Sequence, residues 1–407
     1  MRTTRRIQVP DGPLRLLQVT TIPVGADWFY DQVTALADMG HAICAVLPVH
    51  GPLVDRLRVA GIRVEIIPFQ GKRPRHMARI TAAELRLLQL VRSFQPDVIH
   101  AHLLKAVLSC RLASLAYRPA LRVNQLPGTL HLHSPLLRLI DKLTLFRDDV
   151  VVGSCQAIAD QYREMGARSV AVSYYGCDVH RFDPDTPGAA FRSEFGLAGD
   201  TPTVGIVGRL CPSDIRDFRQ VGVKGHEIFL DAIPLILRKM PRAHFFVIGD
   251  DHAKAGIYRR ELEARAAKLG VAGNTHFTGW RSDIANVLAG LDVNVCASIE
   301  ESACYAIVEA LLMRRGVVAT NVGGLPDTVH DGETGILVPP RNQDALAAAV
   351  IGLLADPELR LEMGTRGREH CVRRFDISST VTEVDAIYRR GLRELTRKKP
   401  VLVESRG

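Results

Sequence analysis

Residues 298–310 have the sequence SIEESACYAIVEA and lie between a predicted strand and a predicted helix. The strand is predicted from Asp292 to Ala297, where β-branched residues alternate loosely with others. The helix is predicted from about Ala306, because the apolar side chains that follow have the spacing of a buried helix. In an α/β sheet, ligands bind at such strand-to-helix junctions. The junction therefore predicts both an α/β fold and the position of a ligand site.

Two glutamates flank this junction. Glu309 lies one or two turns inside a helix that is otherwise apolar, and a carboxylate there is costly to bury unless something hydrogen-bonds it. Glu301 lies eight positions earlier, just before the helix. We therefore expect both carboxylates to face one crevice at the carboxyl ends of the strands. Taken alone, the pair would also suit two solvated charges on a helix edge.

Length and composition indicate a folded protein of more than one domain. At 407 residues the chain is too long for one ordinary core, and 47% hydrophobic with 24% charged residues is typical of a globular protein. The eight cysteines are scattered, without a Cys-x-x-Cys pair or a His/Cys cluster at zinc spacing, which indicates thiols of a reducing cytosol. No apolar run reaches the ~20 residues of a membrane span, and residues 1–13 contain no apolar signal region. A cytoplasmic protein is therefore expected.

The net charge of +8 is concentrated in the first half of the chain. Residues 1–190 hold 23 Lys and Arg against 16 Asp and Glu, so this half carries +7. A basic segment, Lys72–Arg79, lies in a predicted loop that leads into a helix. We predict that it is either a solvated loop or a peripheral contact with anionic lipid at the inner membrane face or with an acidic acceptor. Nucleic acid is not an expected partner, because no aromatic residues are interleaved with the basic ones.

Strands and helices alternate along the whole chain. The opening strand Leu14–Thr20 is followed by a helix and a second strand, and such a βαβ unit predicts a parallel sheet. Continued alternation predicts a doubly wound domain over residues 1–185. Residues 186–202, rich in Pro, Gly, Asp and Thr, are predicted as a linker, and residues 203–375 as a second doubly wound domain. A last helix is predicted over residues 376–398.

Two cations flank the first crossover of the second domain. Arg209 follows the predicted strand Thr203–Val207, and Lys224 opens the next helix. A guanidinium at a strand end and an ammonium near the free amides of a helix start suit a diphosphate. The chain has no Walker loop, and no Gly-x-Gly-x-x-Gly fingerprint follows either opening strand, which counts against a dinucleotide oxidoreductase. The adjacent Asp250 and Asp251 are predicted as a turn and not as metal ligands.

Three motifs together resemble a known family. Glu301 and Glu309 are followed by VVATNVGGLPD at residues 317–327 and by DGETGILV at residues 331–338. In this order and spacing they resemble the retaining nucleotide-sugar glycosyltransferases of family 4, also called group 1, which have the GT-B fold. The resemblance implies two doubly wound Rossmann-like domains that face an interdomain cleft. It also implies transfer of a hexose from a UDP-sugar or GDP-sugar to an acceptor hydroxyl, with retention and with neither a metal nor another cofactor.

The resemblance assigns roles to individual residues, and it implies that Glu301, Arg209, Lys224 and His131 are catalytic. Arg209 and Lys224 would hold the donor diphosphate and Glu301 the hydroxyls of the donor sugar. Glu309 would accept the ribose hydroxyls, and His131 would approach the sugar from the first domain. The other donor-binding positions that the resemblance implies are Gly25, Gly279, Trp280, Arg281, Ser302, Ala303, Cys304 and Tyr305.

One departure from the family pattern bears on the donor. The family has Gly-Phe-Gly between the glutamates, whereas this chain has Ser302-Ala303-Cys304. Side chains at positions where glycines let backbone amides approach the sugar would narrow or reshape the sugar pocket. Two alternatives stay open, a nucleotide-sugar-binding protein without transferase activity and a GT-B sugar-nucleotide epimerase. The acceptor is open as well, since a sugar, a lipid-linked or phosphorylated molecule and a small natural product all fit the sequence.

Overall fold

The computed structural model describes residues 12–22, 26–69, 77–114, 121–212, 221–251, 256–302 and 304–398. The chain forms two compact units. The first comprises the chain up to Cys177 together with the segment from Ile377 onward, and the second runs from Asp178 to Asp376. Each unit contains a parallel β-sheet with helices between successive strands.

Strand and helix alternate along the first unit. Its elements are β1 (Arg15–Thr20), α1 (Asp27–Asp38), β2 (Ala42–Leu47), α2 (Pro52–Val59), β3 (Arg63–Ile66), α3 (Met77–Phe94), β4 (Val98–His102), α4 (Leu104–Ala113), β5 (Leu121–Leu126), α5 (Pro135–Thr144), β6 (Val150–Gly153), α6 (Gln156–Glu164) and β7 (Val170–Val172). The strand order is β3-β2-β1-β4-β5-β6-β7, and neighbouring strands are parallel.

The first sheet is covered by apolar side chains on both faces. On the central strand β1, Leu16 packs into one core with residues of α1 and α2. Leu17 and Val19 pack into the opposite core with residues of α3 and α4. A parallel sheet joined by crossover helices must be buried on both faces, which explains why its strands are near-continuous apolar runs.

The second unit repeats the alternation around a six-stranded sheet. Its elements are α7 (Ala189–Glu194), β8 (Thr203–Val207), α8 (His226–Leu237), β9 (His244–Ile248), α9 (Ile257–Lys268), β10 (Thr275–Gly279), α10 (Ile284–Ala289), β11 (Val293–Cys296), α11 (Tyr305–Leu312), β12 (Gly316–Thr320), α12 (Leu325–Thr328), β13 (Ile336–Val338), α13 (Gln343–Ala355) and α14 (Pro357–Phe375). The strand order is β10-β9-β8-β11-β12-β13. Its core includes Phe229 of α8, Phe245 of β9 and Leu353 of α13.

The C-terminal helix α15 (Ile377–Lys398) belongs to the first unit. Its apolar side chains join the core that also contains α1 and α2 (Val381, Val384, Ile387, Tyr388 and Leu392). The Tyr388 hydroxyl accepts a hydrogen bond from Gln18 Nε2 at 3.1 Å and lies 2.5 Å from His100 Nδ1. The helix α15 is therefore fixed to β1 and β4 by both apolar and polar contacts.

The predicted α/β architecture is confirmed, but the chain divides earlier than the predicted boundary at residue 185. The division follows Cys177, so residues 178–185 belong to the second unit. The predicted linker 186–202 contains the helix α7, whose Phe191 is buried and whose Arg192 pairs with Asp292 at 3.0 Å. A six-residue helix with one buried aromatic side chain has too little periodicity to stand out from a Pro- and Gly-rich composition.

In the described part of the chain, no helix combines the length and the apolar character that a bilayer crossing needs.

Two histidines of β4 lie inside the first unit. His100 and His102 are fully buried, and their rings stack with centroids 4.2 Å apart. His102 Nδ1 accepts from the Tyr175 hydroxyl at 2.8 Å, and its Nε2 donates to Gln18 Oε1 at 3.0 Å. Burial lowers the pKa of His100 to about 3, and burial together with the neighbouring His100 holds the pKa of His102 well below its usual value. Both rings are therefore neutral in the folded chain at neutral pH.

Acid should destabilise the first unit through these two histidines. Below about pH 6.5 the unfolded chain binds a proton at each, whereas the folded chain does not. For His100, stability present above about pH 6.5 is lost as the pH falls toward about 3, by about 1.4 kcal/mol per pH unit. We expect His100→Asn to reduce the pH dependence of the free energy of unfolding by about one proton, measured from urea unfolding between pH 6.5 and pH 5.

The matched control is His50→Asn, which removes an exposed histidine of the same unit. It should leave the pH dependence of unfolding at the value of the unaltered protein. If His100→Asn showed the same pH dependence as that protein, the assignment of a neutral buried His100 would be wrong.

Candidate functional site

The order of strands in the second unit reverses between β8 and β11. β9 and β10 lie on one side of β8, whereas β11, β12 and β13 lie on the other. Loops that leave the carboxyl ends of β8 and β11 therefore turn toward opposite faces of the sheet and leave a crevice between them. Lys224 lies on the connection after β8, and Glu301 lies on the connection after β11. The junction predicted from sequence is thus at the topological switch point of this sheet.

A tight turn positions Lys224 against the loop after β11. Gly225 caps the start of α8 with φ of 66°, in the left-handed region that side chains strain to adopt. A Cβ at Gly225 would collide with the backbone carbonyl oxygen of Ala297. Close by, the amide of Ile299 donates to the carbonyl of Val223 at 2.9 Å. The two loops therefore touch through their backbones, and only glycine fits at this contact.

Glu301 receives hydrogen bonds from three sides. Its Oε2 accepts from Lys224 Nζ at 2.5 Å and from Ser298 Oγ at 3.1 Å, and its Oε1 accepts from the backbone amide of Ser302 at 3.3 Å. Its backbone carbonyl accepts from the amide of Gly324 at 3.2 Å. The carboxylate is therefore oriented before any ligand binds.

The Lys224 and Glu301 pair remains partly accessible. The side chain of Lys224 is 30% exposed and that of Glu301 is 8% exposed. Burial opposes the charge of the ammonium group, but the Glu301 carboxylate outweighs burial and raises the pKa of Lys224. Lys224 is therefore a permanent cation at the start of α8, where the free backbone amides of the helix also favour an anion.

Arg209 lies on the connection after β8, and Glu309 lies in α11. Arg209 is exposed two residues after β8, and its Nη2 lies 3.8 Å from Cys211 Sγ. The backbone beside it is held by the amide of Leu210, which donates to the carbonyl of Asp250 at 3.1 Å. Glu309 is half-buried in the second turn of α11. The structure thus places Arg209 and Lys224 on one connection and both glutamates around the start of α11.

Cys304 lies in the interior beside β11. It caps α11 and is buried, with its Sγ 3.7 Å from Cys296 Sγ. This contact lowers the pKa of Cys296 and raises the pKa of Cys304. Ligand atoms of Cys296, Cys304 and Glu301 lie within 4.8 Å of one another, a cluster that Cys-x-x-Cys and zinc-spacing patterns did not predict. The Glu301 carboxylate in this cluster is paired with Lys224.

The predicted donor-binding segment Gly279–Arg281 begins at the last residue of β10. Gly279 ends that strand with φ of 71°, and Trp280 is 66% exposed. Arg281 pairs with Asp283 at 2.8 Å and with Glu194 of α7 at 2.7 Å, and the hydrogen bonds that it donates to these two carboxylates raise its pKa. Trp280 therefore presents its ring to solvent, while Arg281 is held by two carboxylates.

Ser302 and Tyr305, the remaining described residues for which donor binding is predicted, are both half-buried. Gly25 and Ala303 lie outside the described residues, and so do the side chains of the basic segment Lys72–Arg79.

In the first unit, His131 lies in a short 3-10 helix, Leu130–His133. Its Nε2 is 3.1 Å from Asp141 Oδ2 and 3.1 Å from the Tyr162 hydroxyl, which itself donates to Asp141. Asp141 is buried and pairs with Arg111 at 2.7 Å. Burial would raise the pKa of Asp141, but the hydrogen bond from His131 and the charge of Arg111 outweigh burial and lower it. A buried carboxylate thus fixes the orientation of the His131 ring.

Several positioning residues were not predicted. Ser298 donates to Glu301, and Thr320 Oγ1 donates to the carbonyl of Ser298 at 2.7 Å. The Glu227 carboxylate accepts from the amide of Gly222 at 3.1 Å and from the Tyr258 hydroxyl at 2.7 Å, which fixes the turn before Lys224. The glycine directly after Lys224 could have predicted the left-handed turn. In contrast, no local sequence pattern indicated that Ser298 or Glu227 positions the site.

Two sequence models of glycosyltransferase domains match the chain. The model described as glycosyl transferases group 1 matches residues 201–356, which include Lys224, Glu301 and Glu309. The model described as glycosyl transferase 4-like domain matches residues 27–176, which include His131. The two ranges cover most of both units.

Characterised relatives are bacterial glycosyltransferases. A D-inositol 3-phosphate glycosyltransferase of Segniliparus rotundus is 30% identical over 347 residues, which are 80% of this chain and 74% of that protein. A GDP-mannose-dependent alpha-(1-6)-phosphatidylinositol monomannoside mannosyltransferase of Mycolicibacterium smegmatis is 34% identical over 212 residues, which are 47% of this chain and 49% of that protein. The chain therefore spans about half the length of the second relative and about three quarters of the first.

Solved structures share the fold across nearly the whole chain. The Anabaena protein HepE in complex with UDP and glucose matches with a TM-score of 0.77 and 22% identity, over 92% of this chain and 99% of that one. A glycosyltransferase from Rickettsia africae matches with a TM-score of 0.78 and 19% identity, over 93% and 99%. These matches and the two parallel sheets define the GT-B fold. The chain belongs to the group 1 glycosyl transferases, the family that its motifs resemble.

The contact at Gly225 should be sensitive to a single methyl group. We expect Gly225→Ala to lower the free energy of unfolding of the second unit by about 2–5 kcal/mol, because strain in a left-handed residue adds to a collision with the Ala297 carbonyl. Urea unfolding monitored by circular dichroism measures this loss.

Gly256→Ala is the matched control. Gly256 caps α9 with φ of 72°, but among the described residues a Cβ there would meet only the end of the flexible Arg260 side chain at 3.4 Å. The control should lose about 1–2 kcal/mol from backbone strain alone. Equal losses in the two variants would show that the backbone contact between the loops is not tight.

Proposed function

We propose that the chain transfers a hexose from a UDP-sugar or GDP-sugar to an acceptor hydroxyl, with retention of the anomeric configuration and without a metal ion or another cofactor. The observation that carries the proposal is the Lys224 and Glu301 pair at the switch point between β8 and β11. Membership of the group 1 glycosyl transferases supports sugar transfer as the reaction. In the pair, the Lys224 ammonium group suits the diphosphate of the donor and the Glu301 carboxylate suits the hydroxyls of its sugar.

Lys224 and Arg209 supply positive charge where the leaving group develops negative charge. The Lys224 ammonium has three N–H donors, so it can donate to a phosphate oxygen while it keeps its bond to Glu301. Arg209 is exposed on the same connection and can reach an anion bound there. Cations that are already in place lower the barrier because no reorganisation is needed as the glycosidic bond breaks. This supports a reaction in which these two side chains, and not a divalent cation, neutralise the charge of the leaving group.

Glu301 and Glu309 are proposed to accept hydrogen bonds from hydroxyl groups of the donor. The Glu301 carboxylate is held by Ser298 and by the amide of Ser302, which leaves its orientation fixed while lone pairs remain for sugar hydroxyls. Glu309 would accept both hydroxyls of the ribose, since one carboxylate can take two hydrogen bonds from a vicinal diol. The exposed ring of Trp280 suits stacking against the base.

His131 is proposed to contact the sugar or the acceptor hydroxyl from the first unit. Its ring is oriented by Asp141 and Tyr162, as a hydrogen-bonding group for a substrate must be. The names of the two relatives include an inositol phosphate and a phosphatidylinositol mannoside. A phosphorylated or lipid-linked polyol is therefore the first acceptor class to assay, with acceptor sugars and small natural products next.

Substitution of the donor-site residues should separate chemistry from binding. With a nucleotide sugar that the protein accepts, Lys224→Met should lower kcat by about 10²–10³-fold, because the cation acts mainly on the departing diphosphate. Glu309→Gln should mainly raise KM for the donor, by about tenfold, because ribose contacts are the same in ground and transition states. Release of free nucleotide with UDP-glucose, UDP-N-acetylglucosamine and GDP-mannose measures both effects.

Lys268→Met and Glu261→Gln are matched controls, since both residues are exposed on α9, outside the switch point. They should retain the kinetics of the unaltered protein. Thermal stabilisation by a nucleotide sugar without turnover, with every acceptor class supplied, would favour a binding protein instead. Loss of activity in the α9 controls would remove the support for the switch-point assignment.

Metal dependence and stereochemistry form a separate test. Nucleotide release should be unchanged by a chelator, because Lys224 and Arg209 provide the charge that neutralises the diphosphate. The coupling constant of the anomeric proton in the product, measured by nuclear magnetic resonance, should be that of the donor configuration. Activity that disappears with chelator and returns with one divalent cation, or a product of inverted configuration, would contradict the corresponding part of the proposal.

A further inference from the structure

The helix α5 has its polar and apolar sides reversed. All ten of its residues are described, and Asp141 alone among them is buried. That aspartate accepts from Arg111 of α4 and lies against His131. A helix on the surface of a globular protein normally turns its apolar stripe toward the core. In α5 the acidic residue Asp141 faces the protein interior, while Leu136, Leu139 and Leu143 are 65%, 52% and 64% exposed.

These leucines lie in a stretch of sequence that is rich in exposed apolar side chains. Leu136, Leu139 and Leu143 recur at intervals of three and four, so they lie on one side of the helix. Of the fifteen exposed large hydrophobic residues in the described part of the chain, six fall between residues 130 and 146. Scattered exposed apolar residues need no explanation, but a cluster does. We call this cluster the α5 face, which comprises Leu130, Leu136, Leu137, Leu139, Leu143 and Phe146.

The charges that border the α5 face are positive. Arg138 and Lys142 are exposed on α5, and the Arg147 guanidinium lies over the ring of Phe146 at 5.1 Å. The acidic residues of the same stretch are engaged inside the protein, where Asp141 and Asp148 pair with Arg111 and Asp149 pairs with Arg122. A second copy of this surface would bring cations against cations, whereas an anionic lipid surface complements both its charge and its apolar side chains.

We propose that the α5 face inserts into the boundary between headgroups and acyl chains of an anionic bilayer, with the helix lying in the plane of the membrane. The inference does not rest on the proposed function, because it holds for any donor and acceptor. It also differs from the contact predicted for Lys72–Arg79, which depends on charge alone. Insertion of leucines adds an apolar contribution that salt does not screen.

Flotation of the full chain with vesicles of phosphatidylcholine and phosphatidylglycerol tests the proposal. We expect Leu139→Gln combined with Leu143→Gln to lower the partition coefficient onto these vesicles by at least about tenfold, because two leucines no longer leave water. Glutamine retains helix propensity, and both positions are exposed, so the melting temperature should not change. Leu361→Gln, at a 60% exposed leucine of α14 in the second unit, is the matched control and should bind as the unaltered protein does.

A second pair of variants separates charge from insertion. Arg138→Gln and Lys142→Gln should each weaken binding by about fivefold at low salt, and their effect should shrink as salt is added. The effect of the two leucine substitutions should persist at high salt.

Four outcomes would overturn the proposal. In the first, the unaltered protein would not float with anionic vesicles, and in the second the double leucine variant would float as well as the unaltered protein. In the third, neutralising Lys72, Arg73 and Arg75 would abolish binding while the leucine substitutions had no effect. In the fourth, sedimentation would show a dimer that the leucine substitutions dissociate, without binding to vesicles. Nucleotide release assayed without lipid is a separate measurement, so failure of membrane binding is distinguishable from failure of the proposed transferase function.

Discussion

The contact between Lys224 and Glu301 is the interaction on which the site in the second unit depends. It joins residues 77 positions apart, from connections that leave neighbouring strands toward opposite faces of the sheet. A partly exposed ion pair adds little to stability, because solvent screens it and two long side chains must be ordered. The main effect of the pair is to fix the positions of two charged groups. An ammonium group and a carboxylate are held side by side at the carboxyl ends of β8 and β11 before a ligand arrives.

That ion pair requires two close approaches of backbone to backbone. Gly225 abuts the carbonyl of Ala297, and Gly323, with φ of 54°, abuts the carbonyl of Glu301. A side chain at either position would push apart the loops that carry the two charges. The glycines of Lys224-Gly225 and of VVATNVGGLPD are therefore explained by contact and not by flexibility. The charged residues of the motifs therefore depend on the glycines of the motifs, which let the two loops approach closely enough for Lys224 to reach Glu301.

Local patterns predicted what depends on neighbours in sequence. Apolar periodicity predicted both α/β units, and motif spacing located Arg209, Lys224, Glu301 and Glu309 near the ends of β8 and β11. What depends on distant partners was not predictable in the same way. The division of the chain at Cys177 and the packing of α7 through Phe191 both follow from which elements become neighbours in three dimensions. No single window of sequence contains that information.

The orientation of α5 shows why such information matters. Its leucines alone would suggest a helix that packs its apolar side inward. Arg111 is buried on α4 and pairs with both Asp148 and Asp141, and a buried charge that loses a partner is more costly than exposed leucines. Asp141 is the acid of α5 that can pair with it, so this aspartate turns inward and the leucines turn outward. In the first unit a buried ion pair thus leads to an exposed apolar face, whereas in the second an ion pair at the sheet edge leaves a cation open to ligand.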